Sequence, residues 1–121
     1  AICYEIAFGS ELLHAFPKAN LLINVSNDAW FGNSIAPHQH LQITRMRAIE
    51  TGRPIIRATN NGISAFINHK GKVVKKSGQF NYEILQHSVY PRKGSTLYVA
   101  LGDAPVLLLS SFLIFYVIRK K

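Results

Sequence analysis

Residues 53–76 read RPIIRATNNGISAFINHKGKVVKK, and the way branched apolar runs alternate there with turn residues sets the fold class. The run 53–59 (RPIIRAT) has the length and branching of a strand, 60–62 (NNG) is a turn, and 63–69 (ISAFINH) is a second strand. A hairpin closed at Gly71 then leads into a third strand, VVKK at 73–76. Upstream, residues 21–28 (LLINVSND) form an apolar run too short for a helix and bounded by polar loop residues, which predicts a buried strand. Between these strands, residues 37–51 place Leu41, Ile43, Met46 and Ile49 at helical spacing. Pro37 suits a first helical turn, and Gly52 suits the left-handed position just past a helix end. At the start of the chain, Ile6, Ala7, Leu12, Leu13 and Phe16 predict another helix, ended by Pro17. The order helix, strand, helix and three strands implies an α/β domain with a mixed sheet. Residues 80–95, with Pro91 and Gly94, read as an irregular connector.

The 121 residues, 48% of them hydrophobic, suffice for one folded unit with a core. A single cysteine excludes an internal disulfide framework and a cysteine-rich zinc site. The net charge of +8 is spread along the chain, clustering at 70–76 and at the C-terminus. No stretch interleaves basic and aromatic residues into a base-stacking platform, so nucleic acid is not the expected partner.

The C-terminal stretch is less ordinary. Residues 104–118 (APVLLLSSFLIFYVI) carry no charge, and Arg119, Lys120 and Lys121 follow at once. A helix of that length rises about 22 Å, short of a hydrocarbon core of about 30 Å. Extended back to Leu97, the stretch is interrupted only by Gly102, Asp103 and Pro105 and predicts a transmembrane helix over 97–118. The alternative is a buried terminal helix, against which an all-round apolar face closed by three basic residues argues. Short basic flanks stay cytoplasmic, so residues 119–121 are expected to be a cytoplasmic tail and residues 1–96 extracytoplasmic. With no signal peptide and no initiator methionine at Ala1, the chain reads as a piece of a longer protein whose upstream part directs export.

A lone cysteine is either a small buried hydrophobe or a nucleophile. If Ile2 ends a strand and Tyr4 opens a helix, Cys3 stands at an elbow where a helix N-terminus favours the thiolate and backbone N–H groups face an oxyanion. Glu5, in the same first turn, also suits dipole pairing or capping, and Tyr4 also suits a core. His38 and His40, two residues apart, do not share a helix face, so no metal site is expected, nor any other cofactor. Trp30 and Phe31 lie in a Gly-bounded loop that either folds onto the core or is exposed to lipid or substrate.

The motifs ICYEIAFG (2–9), NVSNDAWFG (24–32) and HLQITRMRAIETGRPIIRATNNGISAFI (40–67), with the Gly-turn hairpin and the terminal apolar stretch, resemble the C-terminal part of bacterial apolipoprotein N-acyltransferases along the whole chain. The resemblance implies an α/β fold: the C-terminal part of a nitrilase-like αββα sandwich over 1–96, followed by one transmembrane helix. It implies a Glu-Lys-Cys triad with Cys3 as nucleophile and Tyr4 and Glu5 in support. The Glu and Lys have no counterpart here, since both precede the cysteine in the family. Asn27, Trp30 and Phe31 are expected to bind substrate. The implied reaction takes an acyl chain from a phospholipid donor onto Cys3 as a thioester and passes it to the diacylglyceryl-cysteine amine of an apolipoprotein, in a monomer of the bacterial inner membrane. Two other readings stay open, a nitrilase-type amidase for small carbon-nitrogen substrates and a non-catalytic tail-anchored module.

Overall fold

The computed structural model describes residues 1–120. Four strands, β1 (Leu22–Asn27), β2 (Ile55–Asn60), β3 (Ala65–Ile67) and β4 (Val73–Lys76), form one sheet in sequence order. β1 and β2 run parallel in register from Leu22 opposite Ile55 to Asn27 opposite Asn60, whereas β2–β3 and β3–β4 are antiparallel. The sheet is therefore mixed, as the sequence order implies. The parallel pair needs a crossover, which is helix α2 (Ala36–Thr51). Pro37 stands in its first turn, and Gly52 caps it at φ 63° and ψ 25°, its N–H reaching the carbonyls of Ala48 and Ile49. The hairpin between β3 and β4 closes at Gly71, with φ 73°. There Asn68 Oδ1 accepts from the N–H groups of Lys70 and Lys72, both at 3.0 Å.

Ahead of β1, the chain start pairs with that strand through a single parallel bridge. The Ala1 amino group donates to the Ile23 carbonyl, the Val25 N–H donates to the Ala1 carbonyl, and Ile2 bridges Val25. The first expected helix is instead three short pieces: a 3₁₀ turn at Cys3–Ala7, α1 (Gly9–Leu12) and a second 3₁₀ turn at Leu13–Ala15. Its apolar residues do not close into one stripe, and Phe8, at ψ 87°, redirects the chain. Among them only Ile6 is fully buried.

The core is Ile6, Leu22, Leu41, Ala48, Ile55, Ile63, Ala65 and Ile67, between α2 and one sheet face. The buried stripe of α2 differs from the apolar positions read off the sequence. Met46 and Ile49 are half exposed, while His40, Thr44, Ala48 and Thr51 face inward. Two of these buried polar groups are satisfied within the helix, Thr44 Oγ1 donating to the His40 carbonyl at 2.9 Å and Thr51 Oγ1 to the Arg47 carbonyl at 2.7 Å. On the opposite sheet face, Ile23, Val25 and Val74 are exposed.

Residues 81–93 form no regular element, as expected of the connector. Arg53 anchors it: its guanidinium donates to the carbonyls of Ala19 (2.8 Å), Thr51 (3.3 Å) and Gly94 (2.7 Å). The single helix expected over 97–118 is two helices, α3 (Leu97–Leu101) and α4 (Ala104–Arg119). Gly102, at φ 56° and ψ −137°, leaves helical conformation, and Pro105 begins a new first turn. Among the described residues no helix is long and apolar enough to cross a membrane. The side chains of α4 are exposed all round. Lys121, the last residue of the expected basic tail, lies outside the described residues.

Candidate active site

Cys3 occupies the elbow its neighbours suggest. Ile2 is extended (φ −107°, ψ 126°) and paired to β1, a 3₁₀ turn begins at Cys3, and Cys3 itself has φ 51°. A non-glycine residue at positive φ is uncommon and strained, and such residues cluster at functional sites. The turn is only five residues long, so the extended helix expected behind the thiol, with its full dipole, is absent. Local hydrogen bonds hold the bend instead. Glu5 Oε2 accepts from the Ile2 N–H at 2.7 Å, and the Glu5 N–H donates to the Ile2 carbonyl at 3.1 Å. Glu5 thus takes the capping role. Tyr4 is half exposed rather than core, with its ring against Phe8 and His40.

The half-buried thiol faces a shallow cleft at the C-terminal ends of β1 and β2, lined by Ile2, Cys3, Val25, Ser26, Asn27, Ala58, Thr59 and Asn60. Asn27 opens onto this cleft while its Oδ1 accepts from the Ala29 N–H at 3.1 Å and shapes the following turn. Trp30 and Phe31 part company there. Phe31 turns in, edge-on to the His40 ring at 6.3 Å, and Trp30 is 85% exposed.

Behind the thiol lies a buried polar network that the sequence reading missed. Ser26 Oγ is 3.6 Å from Cys3 Sγ and 2.7 Å from Asp28 Oδ1. Asp28 Oδ1 also meets His40 Nδ1 at 3.2 Å, and its Oδ2 accepts from Arg57 Nη2 at 2.8 Å. Arg57 Nη1 donates to Asn24 Oδ1, and Asn24 Nδ2 donates to the carbonyls of Ala1 and Cys3. A signal for this was present. Asn24, Ser26 and Asp28 are spaced by two, which on a strand puts them on one face, and Arg57 interrupts an apolar strand opposite Asn24. Gly62 completes the enclosure, since a Cβ on it would stand 2.7 Å from the Asp28 Cβ.

His40 brings an imidazole next to the elbow, although among the described residues no hydrogen bond joins it to Sγ. The Asp28 carboxylate only accepts, so Nδ1 carries the proton. Burial holds the His40 pKa below its ordinary 6.5, helped by the Arg57 charge and opposed by Asp28 and the Cys3 backbone. The unfolded chain therefore binds a proton at higher pH than the folded one. The stability His40 contributes is fully present above about pH 6.5 and is lost as pH falls from there toward the folded-state value. Denaturant midpoints at pH 7.5 and 5.5 should separate in the wild type and draw together in His40→Gln; an equal separation in both would refute this assignment.

Comparison with known proteins gives the family. The chain is 48% identical over 113 residues to the apolipoprotein N-acyltransferase of Nitrosomonas europaea, covering 93% of this chain and 23% of that protein. It is 49% identical over 111 residues to the apolipoprotein N-acyltransferase of Haemophilus influenzae, covering 91% and 21%. It thus spans less than a quarter of the length of these relatives. Residues 1–94 match the family described as carbon-nitrogen hydrolase, Cys3 elbow and network included, and the chain belongs to that family.

Proposed function

We propose that this chain is the nucleophile-bearing part of an apolipoprotein N-acyltransferase, with Cys3 as the attacking group. The observation that carries the reading is the thiol at a positive-φ elbow, open to a cleft at the ends of two parallel strands. The Cys3 thiolate attacks the ester carbonyl of a phospholipid donor, and backbone N–H groups at the turn help to hold the oxyanion. Collapse of that tetrahedral species expels the lysophospholipid alcohol, which takes up a proton, and leaves the acyl chain on Sγ as a thioester. The α-amine of a diacylglyceryl-cysteine then attacks, the amide forms, and the thiol is regenerated. The family resemblance adds to this cysteine a glutamate and a lysine that have no counterpart among these 121 residues. A thioester suits the task because it yields to amines more readily than to water.

In this reading the enzyme is a monomer of the bacterial inner membrane, and α4 enters the bilayer. Its 16 residues rise about 24 Å, and Arg119 and Lys120 sit at its far end. The domain before Leu97 lies on the extracytoplasmic side, so added protease should reach the 70–76 hairpin from outside the inner membrane. The direct test of the chemistry incubates the whole protein with phospholipid and measures the mass of the Cys3 peptide. An acyl-sized increase, discharged by a diacylglyceryl-cysteine peptide, is expected; an unmodified Cys3 during turnover would sink the proposal.

Trp30, exposed in the turn that follows the cleft residue Asn27, is assigned the role of a gate that meets lipid, for which an amphipathic indole is suited. Because it is exposed, Trp30→Ala should change stability by no more than about 0.5 kcal/mol. Turnover with phospholipid should drop more than turnover with a small water-soluble thioester. A large loss of melting temperature, with equal losses on both donors, would return Trp30 to a packing role.

A further inference from the structure

Under the elbow the chain buries an amide and a guanidinium that the transfer chemistry does not touch. Asn24 has 0% of its surface exposed and Arg57 2%. Polar groups so deeply placed are costly unless their hydrogen bonds are made, and here those bonds have a direction. A guanidinium only donates, so the Asn24 atom facing Arg57 Nη1 is Oδ1. That turns Nδ2 toward the elbow, where it donates to the carbonyl oxygens of Ala1 and Cys3, each at 3.3 Å. These two carbonyls flank the point where extended backbone gives way to the strained φ of Cys3. One NH₂ group therefore ties both sides of the bend to β1. Arg57 is held in turn, its Nη2 on Asp28 at 2.8 Å and its Nη1 also 3.5 Å from Thr44 Oγ1.

We propose that Asn24 and Arg57 are positioning residues acting as one unit, in which Arg57 orients the Asn24 amide and the amide clamps the Cys3 elbow so that the thiol stays aimed into the cleft. The proposal rests on Cys3 being the nucleophile. It is tested in the whole protein, purified in detergent, by initial rates of acyl transfer from a phospholipid to a diacylglyceryl-cysteine peptide. Asn24→Asp keeps the side-chain shape but points a carboxylate oxygen at two carbonyls. Arg57→Lys keeps the charge beside Asp28, yet one ammonium cannot span both partners. Each substitution should lower kcat by roughly 10- to 100-fold with the donor KM within about twofold, and the double variant should fall no further than the worse single one. If Asn24→Asp fails to fold, Asn24→Ser, which shortens the reach without adding charge, is measured in its place. Wild-type kcat in a folded variant, a rise in KM alone, or losses that multiply in the double variant would overturn the proposal. Cys3→Ala separates the two claims. If it retains transfer, the nucleophile reading falls and this proposal with it; if it is inactive while the Asn24 and Arg57 variants run at full rate, only the positioning claim falls.

Discussion

Cys3→Ala should abolish acyl transfer in the whole protein, a loss on the order of 10⁴-fold or more, as expected when a covalent nucleophile is removed. None of the other residues lining the cleft is a cysteine that could take over the thioester. Cys3→Ser should do little better. Its hydroxyl is nearly isosteric, but at neutral pH an alcohol supplies far less of the attacking anion than a thiol does. Neither change should disturb the fold, because Cys3 is small and half buried and the Glu5 bonds that hold the bend involve only backbone at position 2. Lipoprotein N-acylation by membranes carrying each variant, compared at matched protein levels, is the measurement. Transfer by Cys3→Ala within tenfold of wild type would remove the thiol from the mechanism.

Asp28→Ala should be the most damaging single change to stability, by about 3–5 kcal/mol, the usual result of stripping one partner from a buried ion pair. Asp28 and Arg57 are both fully enclosed, at 2.8 Å, and the one Asp28 carboxylate also accepts from Ser26 and meets His40. Without it an unneutralised guanidinium remains in the interior. Since a whole domain is held by only about 5–15 kcal/mol, the variant should melt far earlier or fail to accumulate. Asp28→Asn, which keeps the volume but drops the charge, should fall between the two. Melting of the purified variants in detergent decides this, and a loss for Asp28→Ala below about 1 kcal/mol would mean that Arg57 finds another partner.

Much of this architecture was legible in the sequence, and the failures share a cause. Strands β1, β2 and β4, helix α2 with its Pro37 start and Gly52 cap, and the Gly71 turn follow from local rules, since proline and glycine act through their own φ angles. The Cys3 elbow was legible too, as the point where an extended Ile2 gives way to a helical turn, although that turn is short and 3₁₀. What local rules missed was set by tertiary packing. Residues 21–28 read as a strand buried among apolar neighbours. Yet the side that packs on α2 carries Asn24, Ser26 and Asp28, while Ile23 and Val25 face outward. The same inversion hid the working face of α2, where His40 and Thr44 displaced Met46 and Ile49. Polar side chains can occupy an interior only when partners distant in sequence meet them, and the Asn24–Arg57 and Asp28–Arg57 pairings join positions about thirty residues apart. The terminal stretch failed differently: composition reports apolarity but not the conformational break that Gly102 makes between α3 and α4.

The outer sheet face, covered at Phe66 by His87 but open at Ile23, Val25 and Val74, bears on how this protein can be handled. Ile23, Val25 and Val74 project from strands whose opposite side is already filled, and the chain adds to them a helix, α4, that is apolar all round. Exposed apolar area of this kind drives self-association. Residues 1–96 expressed on their own should therefore precipitate or form soluble aggregates even without α4, and charge-introducing changes such as Ile23→Lys and Val25→Glu should keep that piece in solution. The same changes in the whole protein give a measure of how far the face is covered there: little effect on yield if it is open to solvent, misfolding if something packs against it.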